Sequence, residues 1–289
     1  MTRFVLGNPS QRSPVRVIRM FAAAWRTNAF SVGDIDGTDC ARAIGRAAME
    51  ADLCDPHYGD PVKVGQKVRT QMVRLGLVRG RVEGAAGPWA AEWNRKVGQI
   101  TPVGSWAAES AWDIAAEERV LTSIFGVHRC PSPTDQAAKA GGAPVWPLRH
   151  IMRVVVELEK LTASTAIDEA CDMRLSIQLS GGRDPAVVAA DLLDVRRAMA
   201  AADAATRKRT VSALAASTGL MAGSLRDYSD TTMRHLEATG LMVATPGGRF
   251  VVNPPRRREV EALCATPDVA LPAAEHMAAV ESGWVAPVR

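Results

Sequence analysis

Apolar residues recur at helical spacing along most of the chain. Val15, Ile18, Phe21, Ala22 and Trp25 share one face of a first helix. Thr38, a capping residue type, opens a second that runs to about Leu53. Val64, Val68, Met72 and Leu75 form the inward stripe of a third, which Gly76 ends. Leu77-Val78 then begins a short strand. After an irregular Gly/Pro/Trp insert, Gln99-Ile100-Thr101-Pro102 returns as its partner. Ser105 to Leu121 reads as one helix, Thr122 to Asp135 as a proline-punctuated loop, and Lys139 to Pro147 as a flexible Gly-rich stretch. Leu148 to Leu161 is a strongly apolar helix, Thr165 to Gln178 another, and Pro185 starts a long alanine-rich one to about Ala204.

The stretch Arg209–Asn253 has a pattern of its own: helix, turn, helix, strand, turn, strand. Val211, Leu214 and Ala215 give a short apolar face, broken at Thr218-Gly219. Ser224 caps the next helix, where Leu225, Ser229, Thr232, Met233 and Leu236 face inward. Arg226, Asp227, Asp230, Thr231 and Arg234 face outward, and Gly240 closes the helix. Leu241–Ala244 and Arg249–Val252 are two short strands around the turn Pro246-Gly247-Gly248. This is the order of a winged helix-turn-helix. The segment Val62–Gly104 repeats it, with RLGLV at Arg74–Val78 matching ATGLMV at Ala238–Val243. The expected fold is mainly α: two winged helix-turn-helix subdomains with small β-hairpin wings, joined by helices. The expected organisation is an N-terminal subdomain at 14–121, a linker at 122–147, a C-terminal subdomain at 148–264 and an Ala/Pro-rich tail at 265–289.

Charge sharpens this picture. The chain carries a net charge of only +4. Between Arg207 and Arg258, however, nine basic residues stand against three acidic ones, and between Val62 and Val82 six stand against none. Such concentration favours contact with phosphate over a generic solvated face. The residues expected to touch double-stranded DNA are Lys63, Lys67, Arg69, Gln71 and Arg74 in the first unit. In the second they are Arg226, Asp230, Thr231 and Arg234 on the outer helix face, Arg249 on the hairpin, and Arg256 and Arg257 beyond it.

Composition removes other classes. Hydrophobic content of 47% with 23% charged residues is that of a globular protein. No run of 18 apolar residues and no signal-peptide pattern occurs, so no membrane association is expected. The five cysteines are scattered and form no CxxC, which argues against a disulfide framework or a ribbon-type zinc site and for a reducing cytoplasm. Cys54 and His57 lack a second pair at ligand spacing. Glu157-Leu158-Glu159-Lys160 has the wrong spacing for a Glu-x-Lys nuclease centre, Asp184-Pro185 reads as a helix start, and no phosphate-binding glycine loop is present. No cofactor is expected in this chain.

The order of blocks carries a resemblance. An IRMFAAAW helix is followed by VRTQMVRLGLV, ITPVG, AAEERVLTSIFGVHRCPSPTD, WPLRHIMRVVVELEKLT, SLRDYSDTTMRHLEATGL and GRFVVNPPRRREVEAL. Over residues 14–264 this resembles the DNA-recognition portion of AlwI-type type IIS restriction endonucleases and their nicking relatives. The resemblance implies two winged-helix subdomains gripping an asymmetric site and a separate C-terminal PD-(D/E)XK domain that cuts nearby. After Leu263 about 25 residues follow with no Asp…Glu-x-Lys constellation. The expected function is therefore sequence-specific DNA binding as the recognition subunit of a split restriction or defence endonuclease. Mg²⁺ would be needed only with a nuclease-bearing partner chain. A DNA-binding regulator or adaptor without nuclease role, and a helical protein–protein scaffold, are the alternatives.

Overall fold

The computed structural model describes residues 13–54, 59–81, 88–129, 144–162, 167–168, 183–217, 231–245 and 249–284. They fall into two compact units, one of Ser13–Val127 with Leu271–Trp284 and one of His128–Ala270.

The first unit opens with α1 (Pro14–Arg26), which begins where the Ser13 hydroxyl accepts from the Arg16 amide and Pro14 fills the first turn. Val17, Ile18, Met20, Phe21 and Ala24 are buried, whereas Trp25, expected inside, stays 36% exposed. In α2 (Thr38–Glu50) the cap is Gly37 and not Thr38, and no side chain bonds the first turn. Asp60 caps α3 (Pro61–Arg74) by accepting from the Val62 amide at 2.9 Å. These two helices meet at backbone distance: a Cβ on Gly45 would lie 1.8 Å from the Pro61 carbonyl oxygen, and one on Gly65 1.7 Å from that of Ala41. Only glycine admits this approach. Gly76, at φ 74°, ends α3 as the pattern indicates.

Leu77–Arg79 then pairs antiparallel with 98–101, through the Val78–Ile100 bridge and the bonds Arg79 N to Gln99 O (2.9 Å) and Thr101 N to Leu77 O (3.1 Å). The insert between them holds a short helix, α4 (Pro88–Asn94). Thr101 caps α5 (Pro102–Ser110) through a 2.9 Å bond from Gly104 N. The single helix expected over Ser105–Leu121 is in fact two. Trp112 adopts φ 76°, and α6 (Ile114–Val127) starts afresh. Glu117 fixes the break, its Oε1 accepting from the Trp112 amide at 2.8 Å while both its oxygens hold Arg19 of α1. Residues 122–127, read as part of a loop, are the buried end of α6. Their small and apolar side chains close the core, which the downstream prolines obscured in the sequence.

The second unit is built on α7 (Pro147–Thr162), which buries Leu148, Ile151, Met152, Val154, Val155 and Leu158. Against it packs α8 (Pro185–Ala201), capped by Asp184 and contributing Val188, Ala189 and Leu192. Then come α9 (Ala204–Ser217) and α10 at 231–238, which ends at Gly240 with φ 66°. Three short strands, β1 (Ile167–Asp168), β2 (Met242–Thr245) and β3 (Arg249–Val252), form an antiparallel sheet in the order β1-β3-β2. The pairs Met242–Val252 and Thr245–Arg249 set the hairpin register, and Ile167 lies opposite Phe250. β1 corrects the helix expected over Thr165–Gln178: residues 167–168 use their backbone groups on the edge of β3, and the remainder of that span lies outside the described residues. A 3₁₀ turn (Pro254–Arg256) leads into α11 (Arg257–Ala265). Arg153 of α7 pins its end, donating to the carbonyls of Cys264 (3.0 Å) and Thr266 and to Asp268.

The stretch read as a tail returns to the first unit as α12 (Ala273–Ser282). Small residues make the seat. Val280 lies over Gly76, the Trp284 ring over Gly126, and Gly283 against Ser123, whose carbonyl accepts from the Trp284 amide at 2.9 Å. Trp284 is thus 9% exposed and packed in its own chain. Val285 lies outside the described residues. Among the described residues no helix is long and apolar enough to cross a membrane.

Candidate nucleic-acid interface

α3 presents one continuous polar stripe. Lys63, Gln66, Lys67, Thr70 and Arg74 are exposed, and no acidic residue occurs in the helix. Their spacing of three and four keeps them on one face, and the stripe is about 17 Å long at 1.5 Å per residue. Lys63 has one neighbouring acid, Asp60, at 4.0 Å.

Two residues expected on this face are elsewhere. Gln71 is buried at 5% exposure. Arg69 is half-buried and turned to the preceding loop, where its Nη1 donates to the Ile35 carbonyl at 2.6 Å with Asp36 4.0 Å away. The reason is that α3 packs against both α1 and α2, leaving open a narrower strip than a one-sided amphipathic helix would. Gln66 and Thr70 occupy that strip and were missed. The signal lay in their offsets of three and seven from Lys63.

In the second unit Arg234 is exposed on α10, as expected. Thr231 is not: it is 2% exposed, and its carbonyl accepts from His235 Nδ1 at 2.6 Å. Arg226 and Asp230 lie outside the described residues. So does the Arg249 side chain, although its backbone belongs to β3.

Arg256 and Arg257, expected to meet phosphate, make internal ion pairs. Arg256 Nε donates to Glu259 at 2.8 Å, and its Nη1 reaches the Thr239 carbonyl at the end of α10. Arg257 bridges Glu159 of α7 (Nη1 to Oε1, 2.8 Å) and Glu261. The Glu159 bond raises the Arg257 pKa still further. The run following the hairpin is therefore largely a brace, with Arg258 exposed. Arg207, Lys208 and Arg209, exposed on α9, were counted in the basic segment but not singled out.

Other candidate chemistry is weak. Burial pushes the Cys264 thiol up to about 11 and raises those of Cys40 and Cys54, so none of these is a ready thiolate. His150 and His235 are buried, and desolvation takes both down to about 4. Glu157 pairs with Lys160 at 2.6 Å, which together with Glu159–Arg257 ties up the acids of α7. Among the described residues no group of three or more His, Cys, Asp or Glu side chains is arranged to hold a metal ion.

What the geometry shows on α3 is an exposed basic stripe without acidic residues. No curated protein matches the chain. The family model of the AlwI restriction endonuclease matches residues 75–283, a span that begins just after α3 and takes in the rest of both units. That match covers well over half of the sequence, and by it the chain belongs to the AlwI restriction endonuclease family.

Proposed function

We propose that the chain is a sequence-specific double-stranded DNA-binding protein, made of two winged helix-turn-helix units. In this reading it is the recognition subunit of a split endonuclease. The observation that carries the reading is the acid-free stripe Lys63, Gln66, Lys67, Thr70 and Arg74 on α3. That helix stands directly before a two-stranded ladder, as a recognition helix stands before its wing. The second unit has the same order. There α9 and α10 precede the β2–β3 hairpin, with β1 added on the far side of β3. Family membership makes DNA the polyanion.

An endonuclease of this family implies a divalent cation that stabilises charge at the scissile phosphate. The residues described here do not fit one: no carboxylate cluster is present among them, and Glu157 and Glu159 are engaged by Lys160 and Arg257. In this reading the cutting carboxylates lie outside the described residues, on a partner chain, and no cleavage step is derived for this one.

Binding of a labelled duplex by the purified chain, measured between 50 and 200 mM salt, tests the reading. Affinity should fall steeply, by about one unit of log–log slope per phosphate contact, and both strands should remain intact when Mg²⁺ is added. A salt-independent affinity would point to a protein-binding scaffold. Metal-dependent nicking by the chain alone would return the cutting function to it.

A further inference from the structure

We infer that α3 reads an adenine through Gln66 and a thymine methyl, one helical turn away, through Thr70. This rests on the reading of α3 as a DNA-contacting helix and asks what its exposed face can tell apart.

At 3.6 residues per turn the exposed side chains of α3 fall on two adjacent lines. Lys63, Lys67 and Arg74 lie within about 40° of one another, and Gln66 and Thr70 occupy about the next 60°. The cationic line has the charge to follow a phosphate backbone. The neutral line has none, so what it contributes is shape and hydrogen bonding.

Two details set the chemistry of that line. The Gln66 side-chain amide is exposed and makes no hydrogen bond among the described residues, so its donor and its acceptor are both available. That pair matches the N6 donor and N7 acceptor of adenine in the major groove. Thr70 is the reverse case. Its Oγ1 donates to the Gln66 carbonyl at 2.9 Å, which commits the hydroxyl to the helix. The methyl is then the group left to meet a base, and thymine alone of the four offers a methyl partner in the groove. The helix also has no carboxylate to accept from the cytosine amine. Adenine and thymine edges suit this face.

The test starts from a duplex selected out of a random pool by the whole purified chain. Gln66→Ala should lose preference for one adenine by about tenfold or more while keeping the salt slope of the wild type. Gln66→Glu, which exchanges the donor for an acceptor, should move the preference at that position toward cytosine. Deoxyuridine in place of the contacted thymine should weaken wild type and Thr70→Val several-fold but leave Thr70→Ser unaffected, since serine has already lost the methyl. Both positions are on an exposed face, and melting curves matching the wild type establish that the four variants fold. A selected site unchanged in Gln66→Ala, or an equal deoxyuridine penalty in Thr70→Ser, overturns this inference and leaves DNA binding standing. Selection of no duplex at all overturns both.

Discussion

Arg79 and Glu281 form a two-pronged ion pair across 202 positions of sequence, with Nη2 2.7 Å from Oε2 and Nε on Oε1. It fastens α12 to the strand that follows α3, beside the seat of Val280 on Gly76. Each side chain is less than a fifth exposed. Glu281→Ala would leave a half-buried guanidinium without its carboxylate, at a cost of about 3 kcal/mol to the first unit. Urea denaturation should show a lowered midpoint, largely restored by the double variant Arg79→Met/Glu281→Leu. An unchanged midpoint would mean that α12 contributes nothing to the unit.

Lys67 and Arg69, two positions apart on α3, should separate binding from folding. Lys67→Ala removes an exposed cation and should flatten the salt slope of duplex binding by about one unit with little change in stability. Arg69→Ala removes the donor to the Ile35 carbonyl and should lower stability by about 1–2 kcal/mol while leaving the slope alone. The opposite assignment of the two effects would place the wrong side of α3 against DNA.

Gly65→Ala is expected to be far more damaging than an alanine elsewhere in a helix. Its Cβ would meet the Ala41 carbonyl, and backbone cannot swing aside as a side chain can. Overpacking of this kind costs about 1–3 kcal/mol or more. Thermal melting should register it, and duplex affinity should fall with the displacement of α3. A variant with wild-type melting would show that α2 and α3 separate easily.

His150 and His235 should make the second unit acid-sensitive. Both are depressed to about 4 from an ordinary value of 6.5, by burial first, so the unfolded chain takes up their protons more readily. Their neutral burial therefore contributes stability that is complete above pH 6.5 and is lost as pH falls toward 4. The loss amounts to about 3 kcal/mol for each ring at most. NMR titration should find both imidazole signals unmoved from pH 8 to pH 5. A midpoint near 6.5 for either ring would contradict its burial.

Much of the architecture is legible in the sequence. The periodicity of Val64, Val68, Met72 and Leu75 located α3, and Gly76 and Gly240 ended their helices for the conformational reason that glycines usually do. The repeated strand segments after each of them pointed to the ladder at Val78–Ile100 and the hairpin Met242–Val252. These are local properties, set by the spacing of side chains along one element and by the backbone freedom of single residues. The basic excess on two segments was local as well, and with it the general sign of the surface.

What tertiary structure decided was which of those charges remain at the surface. Arg69 turns to Ile35, Arg79 to Glu281, Arg256 to Glu259 and Thr239, and Arg257 to Glu159, and most of these partners lie far away in sequence. Gln71 is buried because α3 packs on both α1 and α2, which periodicity alone does not report, and Thr231 is buried on α10. Residues 273–284 have the composition of a tail and little apolar period. They fold because Gly76, Gly126 and Ser123 leave room for them on the first unit, a complementarity of shape that no spacing within the segment encodes. The chain by itself determined its helices, its turns and its charge. The packing of elements distant in sequence determined which charged residues remain exposed.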